Sequence, residues 1–138
     1  IWDALRGLLG AQKLERRRGA GEIEVAPLAF MRGRTLADAF VIVDEAQNAT
    51  IMQMKMVLTR LGEGARMAVT GDPTQVDLPP SQPSGLAHAL KILDGVKGVQ
   101  ITHFTADDVM RHALVSRIVR AYEKDAAANS KRKPRDPE

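Results

Sequence analysis

Two stretches of the chain carry residue types suited to phosphate chemistry. In Phe40-Val41-Ile42-Val43-Asp44-Glu45-Ala46-Gln47-Asn48, four apolar residues run directly into two carboxylates. Adjacent acids in such a place suit metal-nucleotide chemistry. One carboxylate holds Mg²⁺, directly or through water, and the other orients or deprotonates an attacking water. The second stretch, Ala65-Arg66-Met67-Ala68-Val69-Thr70, leads into Gly71-Asp72-Pro73-Thr74-Gln75. Gln75 is an uncharged donor and acceptor, the kind of side chain that senses a γ-phosphate or orients a water in nucleotide hydrolases. Each stretch alone also describes a strand ending in a solvated turn. Two polar loops after two buried strands, converging on one sheet edge, favour the chemical reading.

The elements that position these residues follow from pattern. A run rich in Val and Ile without alternation, Phe40 to Val43, predicts a strand buried on both faces, as in a parallel sheet. The acids then stand at its carboxyl end, where open α/β sheets bind ligands. Thr50 reads as an N-cap with Gln53 three residues on, a capping box. Ile51, Met54, Leu58 and Leu61 continue it as a helical stripe, and Gly62 takes the C′ position. The methionines read as core. Ser84 caps a helix bearing Leu86, Leu90 and Leu93, which Gly95 closes. The fold class expected is three-layer α/β: a parallel sheet with helices on both faces.

The flanks are less regular. Trp2, Leu5, Leu8 and Leu9 form a helical stripe, weakened by Gly7 and Gly10. Arg16-Arg17-Arg18-Gly19-Ala20-Gly21 reads as a basic, flexible connector. Ile23 to Pro27 reads as a short strand ended by proline. Val99 to Phe104 alternates, predicting a strand with one exposed face. Thr105 with Asp108 starts a last helix, striped by Val115, Ile118, Val119 and Tyr122, with Arg111, Arg117 and Arg120 nearby. Residues 125–138, centred on Lys131-Arg132-Lys133-Pro134-Arg135, read as a disordered basic tail with electrostatic affinity for RNA. Residues 1–124 read as one core.

Composition sets the outer limits. The 138 residues are 44% hydrophobic with no cysteine, so wholesale disorder, a disulfide framework and Cys-ligated zinc are all disfavoured. No apolar run approaches the roughly 18 residues that span a bilayer, no signal peptide is visible, and a cytoplasmic location is expected. The net charge of +3 is a weak bias toward polyanions. The chain begins at Ile1, and the expectation is a piece of a longer protein.

The set "APLAFMRGRTL", "FVIVDEAQN", "QMKMVLTRLG", "VTGDPTQVDLP", "SGLAHAL" and "FTADDVMRH" is far more specific than any of its parts. Together these resemble the C-terminal half of a PhoH-like ATPase, a bacterial P-loop family related in its core to superfamily 1 helicases. The resemblance covers nearly everything from Ile23 to Glu123. It implies a RecA-like α/β core, ATP and Mg²⁺ as cofactors, ATP hydrolysis, and homo-oligomeric rings. It also implies work in RNA metabolism, including partnership with an rRNA-maturing endoribonuclease, and a link to phosphate starvation. Position by position, Asp44 would bind Mg²⁺ and Glu45 would activate water. Gln47 would couple nucleotide state to neighbouring loops. Gly71, Asp72 and Gln75 match a helicase-like third motif, with Gln75 as γ-phosphate sensor. Arg32 and Arg34 match "MRGRT" and stand as contacts to phosphates or to a neighbouring subunit, or as surface charges, while Arg111 matches "RH" and is, with Arg117 and Arg120, one of three candidates for an arginine finger.

One element of the family pattern is absent. No G-x-x-x-x-G-K-[ST] occurs in the chain, so the lysine and backbone cradle that grip phosphates lie elsewhere. The expected consequence is that this chain by itself binds ATP very weakly and does not hydrolyse it. The rival function is a non-catalytic RNA-binding or assembly module, motivated by the triple-Arg segment and the basic tail.

Overall fold

The computed structural model describes residues 1–105, 108 and 113–130. It divides into two units, Ile1–Val99 and Gln100–Glu138. In the first unit the elements run α1 (Trp2–Leu9), α2 (Ala11–Gly19), a 3₁₀ turn (Leu28–Met31), β1 (Phe40–Val43), a second 3₁₀ turn (Ala46–Asn48), α3 (Ile51–Leu58), β2 (Arg66–Val69) and α4 (Gly85–Ile92). The second unit holds α5 (Ala113–Ser130), which carries helix six residues past Lys124. The result is an α/β chain with a small parallel sheet.

β1 and β2 pair in parallel with Phe40 opposite Arg66 and Val43 opposite Val69. A parallel pair needs a crossover connection, and α3 supplies it. Its start is the capping box read from sequence: the Thr50 hydroxyl accepts from the Gln53 amide at 3.3 Å and the Gln53 side chain accepts from the Thr50 amide at 2.9 Å. Ser84 likewise caps α4, accepting from the Ala87 amide. α3 and α4 pack on one face of the sheet around Val43, Ala46, Ala49, Met54, Val57, Leu86 and Ala89. Met54 and Val57 are fully buried, each contributing about 1.5–3 kcal/mol of burial.

Several expectations are corrected. β1 is covered on one face only: Val43 is buried, whereas Phe40 is 69% and Ile42 53% exposed. Gly62 lies beyond the end of α3; its amide bonds the Leu36 carbonyl at 2.9 Å, and a Cβ there would meet Thr35 and Ala37. Arg16 to Arg18 form the last turn of α2 instead of a flexible connector, because Gln, Lys, Leu, Glu and Arg are all good helix formers. Neither Ile23–Pro27 nor Val99–Phe104 forms a strand. Alternation supplies a face, but no ladder partner is present for either segment among the described residues.

In the second unit, the Thr105 amide and hydroxyl both donate to Asp108, at 2.7 and 2.9 Å. These bonds hold the Asp108 carboxyl below its ordinary value. The helix itself starts at Ala113 among the described residues. Of its apolar stripe, Val115, Ile118 and Tyr122 are exposed.

Candidate functional site

The carboxyl ends of β1 and β2 place the two sequence stretches side by side. The parallel register that sets Val43 opposite Val69 continues to Asp44 and Thr70, and the Thr70 hydroxyl donates to Asp44 Oδ1 at 2.9 Å. The Glu45 amide donates to the same oxygen at 3.1 Å. Glu45 then adopts φ 53°, ψ 36°, the left-handed region that few non-glycine residues occupy. Such conformations persist only where the surroundings hold them, and they concentrate at functional sites. Here the turn is fixed on both sides, since the next amide, that of Ala46, bonds the Thr70 carbonyl at 2.9 Å.

Gln47 ties the second loop to this turn. It is 1% exposed, the one buried polar side chain among the described residues. Its Nε2 donates to Glu45 Oε2 at 2.6 Å and to the Gln75 carbonyl at 3.3 Å. Its Oε1 accepts from the Asp72 amide at 3.0 Å. Both donors and the acceptor of the amide are therefore used. That is what a buried amide requires, since an unmet group would cost about 1–3 kcal/mol. Gly71 makes the approach possible: a Cβ there would sit 2.6 Å from Gln47 Oε1 and 2.8 Å from Leu86 Cδ2.

Asp72 is the internal anchor of its loop. Its Oδ1 accepts from the Thr74 amide and hydroxyl at 2.9 and 2.7 Å, and its Oδ2 accepts from Gln75 Nε2. Asn48 adds a further tie, accepting from the Asp77 amide at 2.8 Å. The structure thus joins Asp44, Glu45, Gln47, Asp72 and Gln75 in one hydrogen-bonded cluster, with Gly71 packed against Gln47. Sequence reasoning missed Thr70 and Asn48. Thr70 becomes legible once the register is known, being the residue opposite Asp44.

Arg34 is not part of that cluster. Its guanidinium makes a two-pronged pair with Glu24, at 2.7 and 2.8 Å. Arg111 lies outside the described residues. The hydrogen bond from Arg34, and then its charge, hold the Glu24 carboxyl below its ordinary 4.5. A carboxyl depressed in the folded state adds stability above its unfolded value, and that stability is lost as pH falls through the folded value. The denaturation midpoint of wild type should therefore exceed that of Glu24→Gln at neutral pH. The gap should close as pH drops below 4.5. An undiminished gap in acid would show that the pair is not what separates the two proteins. The pair is exposed, so the effect is modest.

The donors around Asp44 suit Mg²⁺ held together with phosphate better than a cage made of protein alone. No group of three or more metal-ligating side chains occurs among the described residues. One exposed carboxylate beside a hydroxyl matches the way Mg²⁺ is held by one or two carboxylates, waters and substrate phosphates.

Comparison with known proteins adds the family. The PhoH-like family matches residues 1–123. The chain belongs to that family. A PhoH-like protein of Bacillus subtilis is 54% identical over 124 residues, covering 90% of this chain and 39% of the relative. One from Synechocystis is 57% identical, covering 90% and 38%. Protein PhoH of Escherichia coli is 47% identical, covering 88% and 35%. The chain therefore spans well under half the length of these PhoH relatives. No helix among the described residues is long and apolar enough to cross a membrane.

Proposed function

We propose that the full-length protein is a Mg²⁺-dependent ATPase with a RecA-like, three-layer P-loop core, and that its hydrolysis serves RNA metabolism such as ribosomal RNA maturation. The observation that carries this reading is the Gln47 clamp: in a PhoH-family chain, it holds an Asp-Glu pair and a Gly-Asp-Pro-Thr-Gln loop together at the ends of adjacent parallel strands. Asp44 would hold the metal and Glu45 would orient and deprotonate water. Gln75 would answer to the γ-phosphate, exchanging its bond to Asp72 for one to the nucleotide. Bound Mg²⁺ would supply charge neutralisation on the phosphate oxygens. The phosphate cradle, absent from this sequence, would come from the rest of the polypeptide, in a homo-oligomeric ring. The 138-residue chain alone should then turn over ATP far more slowly than the full-length protein.

Equilibrium binding of a fluorescent ATP analogue to the full-length protein tests the metal role. Adding Mg²⁺ should tighten binding in wild type and do so at least about tenfold less in Asp44→Asn, a loss of ~1.4 kcal/mol. An equal Mg²⁺ response in both proteins would remove Asp44 from the metal site.

The second reading is a non-catalytic RNA-binding module, which draws on the basic last turn of α2. There Arg17 pairs with Glu22 at 3.5 Å and Arg18 lies over the Trp2 ring at 5.2 Å, so two of the three charges have protein partners. RNA binding through this turn should weaken steeply with salt and persist in Glu45→Gln.

A further inference from the structure

Thr70 follows the last residue of β2 and is tied to the acidic turn through three separate groups. Its amide donates to the Val43 carbonyl at 2.8 Å, and its carbonyl accepts from the Ala46 amide at 2.9 Å. Its hydroxyl lies 2.9 Å from Asp44 Oδ1 and 3.4 Å from the Val43 carbonyl. A hydroxyl has one proton to give, and the shorter contact, to a charged acceptor, takes it. The two backbone bonds continue the parallel ladder and would form with other side chains. The hydroxyl is therefore not needed to pair the strands. Valine has the same branched shape and suits a strand at least as well.

What the hydroxyl does is distinguish the two oxygens of Asp44. An ionised carboxylate offers about four lone-pair sites, two on each oxygen. Oδ1 receives two donors, the Thr70 hydroxyl and the Glu45 amide at 3.1 Å, so both of its sites are taken. Among the described residues no donor reaches Oδ2. One oxygen is thus held by the protein and the other is open to a cation. Asp44 is exposed, and without these bonds its carboxylate would turn freely in water. Mg²⁺ demands near-ideal octahedral geometry, and hydrogen bonds to a ligating carboxylate set the orientation it meets.

We propose that Thr70 is a positioning residue for the metal: its hydroxyl orients Asp44 so that Oδ2 meets Mg²⁺, and it does not bind the ion itself. This inference rests on the metal role proposed for Asp44.

Equilibrium binding of a fluorescent ATP analogue to the full-length protein tests it, in wild type, Thr70→Val, Thr70→Ser, Asp44→Asn and the Thr70→Val/Asp44→Asn double variant. The quantity read is the ratio of affinities with and without Mg²⁺, so each protein serves as its own reference. The ratio should fall about tenfold in Thr70→Val, the low end for losing the hydrogen-bond partner of a metal ligand, since the Glu45 amide still holds the same oxygen. Thr70→Ser, which keeps the hydroxyl, should stay within about twofold of wild type, and Thr70→Val should change the ratio by less than about twofold once Asp44 is Asn, because two residues acting through one ligand are not additive. An unchanged ratio in Thr70→Val beside a reduced one in Asp44→Asn would overturn this proposal and leave Asp44 at the metal. Equal losses in Thr70→Val and Thr70→Ser would assign the effect to the shape of threonine and not to its hydroxyl. A full further loss from Thr70→Val in the Asp44→Asn background would make Thr70 a ligand in its own right. An unchanged ratio in Asp44→Asn would overturn the metal reading and this inference with it.

Discussion

Glu45→Gln in the full-length protein is expected to lower ATP turnover by about 10²–10⁴-fold, a loss of ~3–5 kcal/mol of transition-state stabilisation, while ATP binding stays within about threefold of wild type. The substitution is close to isosteric. Gln47 Nε2, which donates to Glu45 Oε2 at 2.6 Å, would still find an oxygen acceptor. The left-handed backbone at residue 45, φ 53°, is a demand of the turn and not of the carboxylate, so the fold should survive. What disappears is the negative charge that, in the proposed reaction, would take a proton from water. Single-turnover kinetics beside nucleotide binding separates the two steps. A variant that binds and hydrolyses normally would leave Glu45 as a structural turn residue. One that fails to bind would place its role in holding nucleotide.

Gly85→Ala should destabilise the first unit by about 2–4 kcal/mol, at the upper end for a core substitution that adds one carbon. Gly85 is the first residue of α4, is buried, and donates its amide to the Ala49 carbonyl at 2.7 Å. A Cβ there would overlap the Thr50 carbonyl oxygen and sit 2.7 Å from Met54 Cβ. Neither neighbour is the far end of a flexible side chain, so the helices themselves would have to separate. α4 also packs against the turn that carries Gln47, and the loss should therefore extend to the site. Gly7→Ala gives the contrast. Nothing lies within 4 Å of a Cβ at Gly7, in the middle of α1, and the change should stabilise by ~0.5–1 kcal/mol. Denaturant midpoints of the two variants should move in opposite directions. If both fell equally, the close approach at Gly85 would not be what the glycine provides.

The parts of the molecule legible in the sequence are those set by local chemistry. The capping box at Thr50 and Gln53, the Ser84 cap and the apolar runs into the two loops are all short-range signals, and each element is found where its signal stands. Other features depend on distant partners. Gln47 bonds groups 25 and 28 residues away, so its clamp follows from the parallel register and not from any local pattern. The open outer face of β1 was not legible either, because an apolar run states what a strand needs and not what covers it. Val99 to Phe104 has the alternation of a strand without a ladder to join. The pairing of Arg34 with Glu24, ten residues earlier, has no local signal either, since the motif around Arg34 does not name a partner.

RNA-coupled ATP hydrolysis by the full-length protein is read out by steady-state phosphate release, with and without single-stranded RNA. Turnover should depend on Mg²⁺ and rise when RNA is added. Absence of turnover under both conditions, with RNA binding intact, would contradict it and give the protein the character of a binding module.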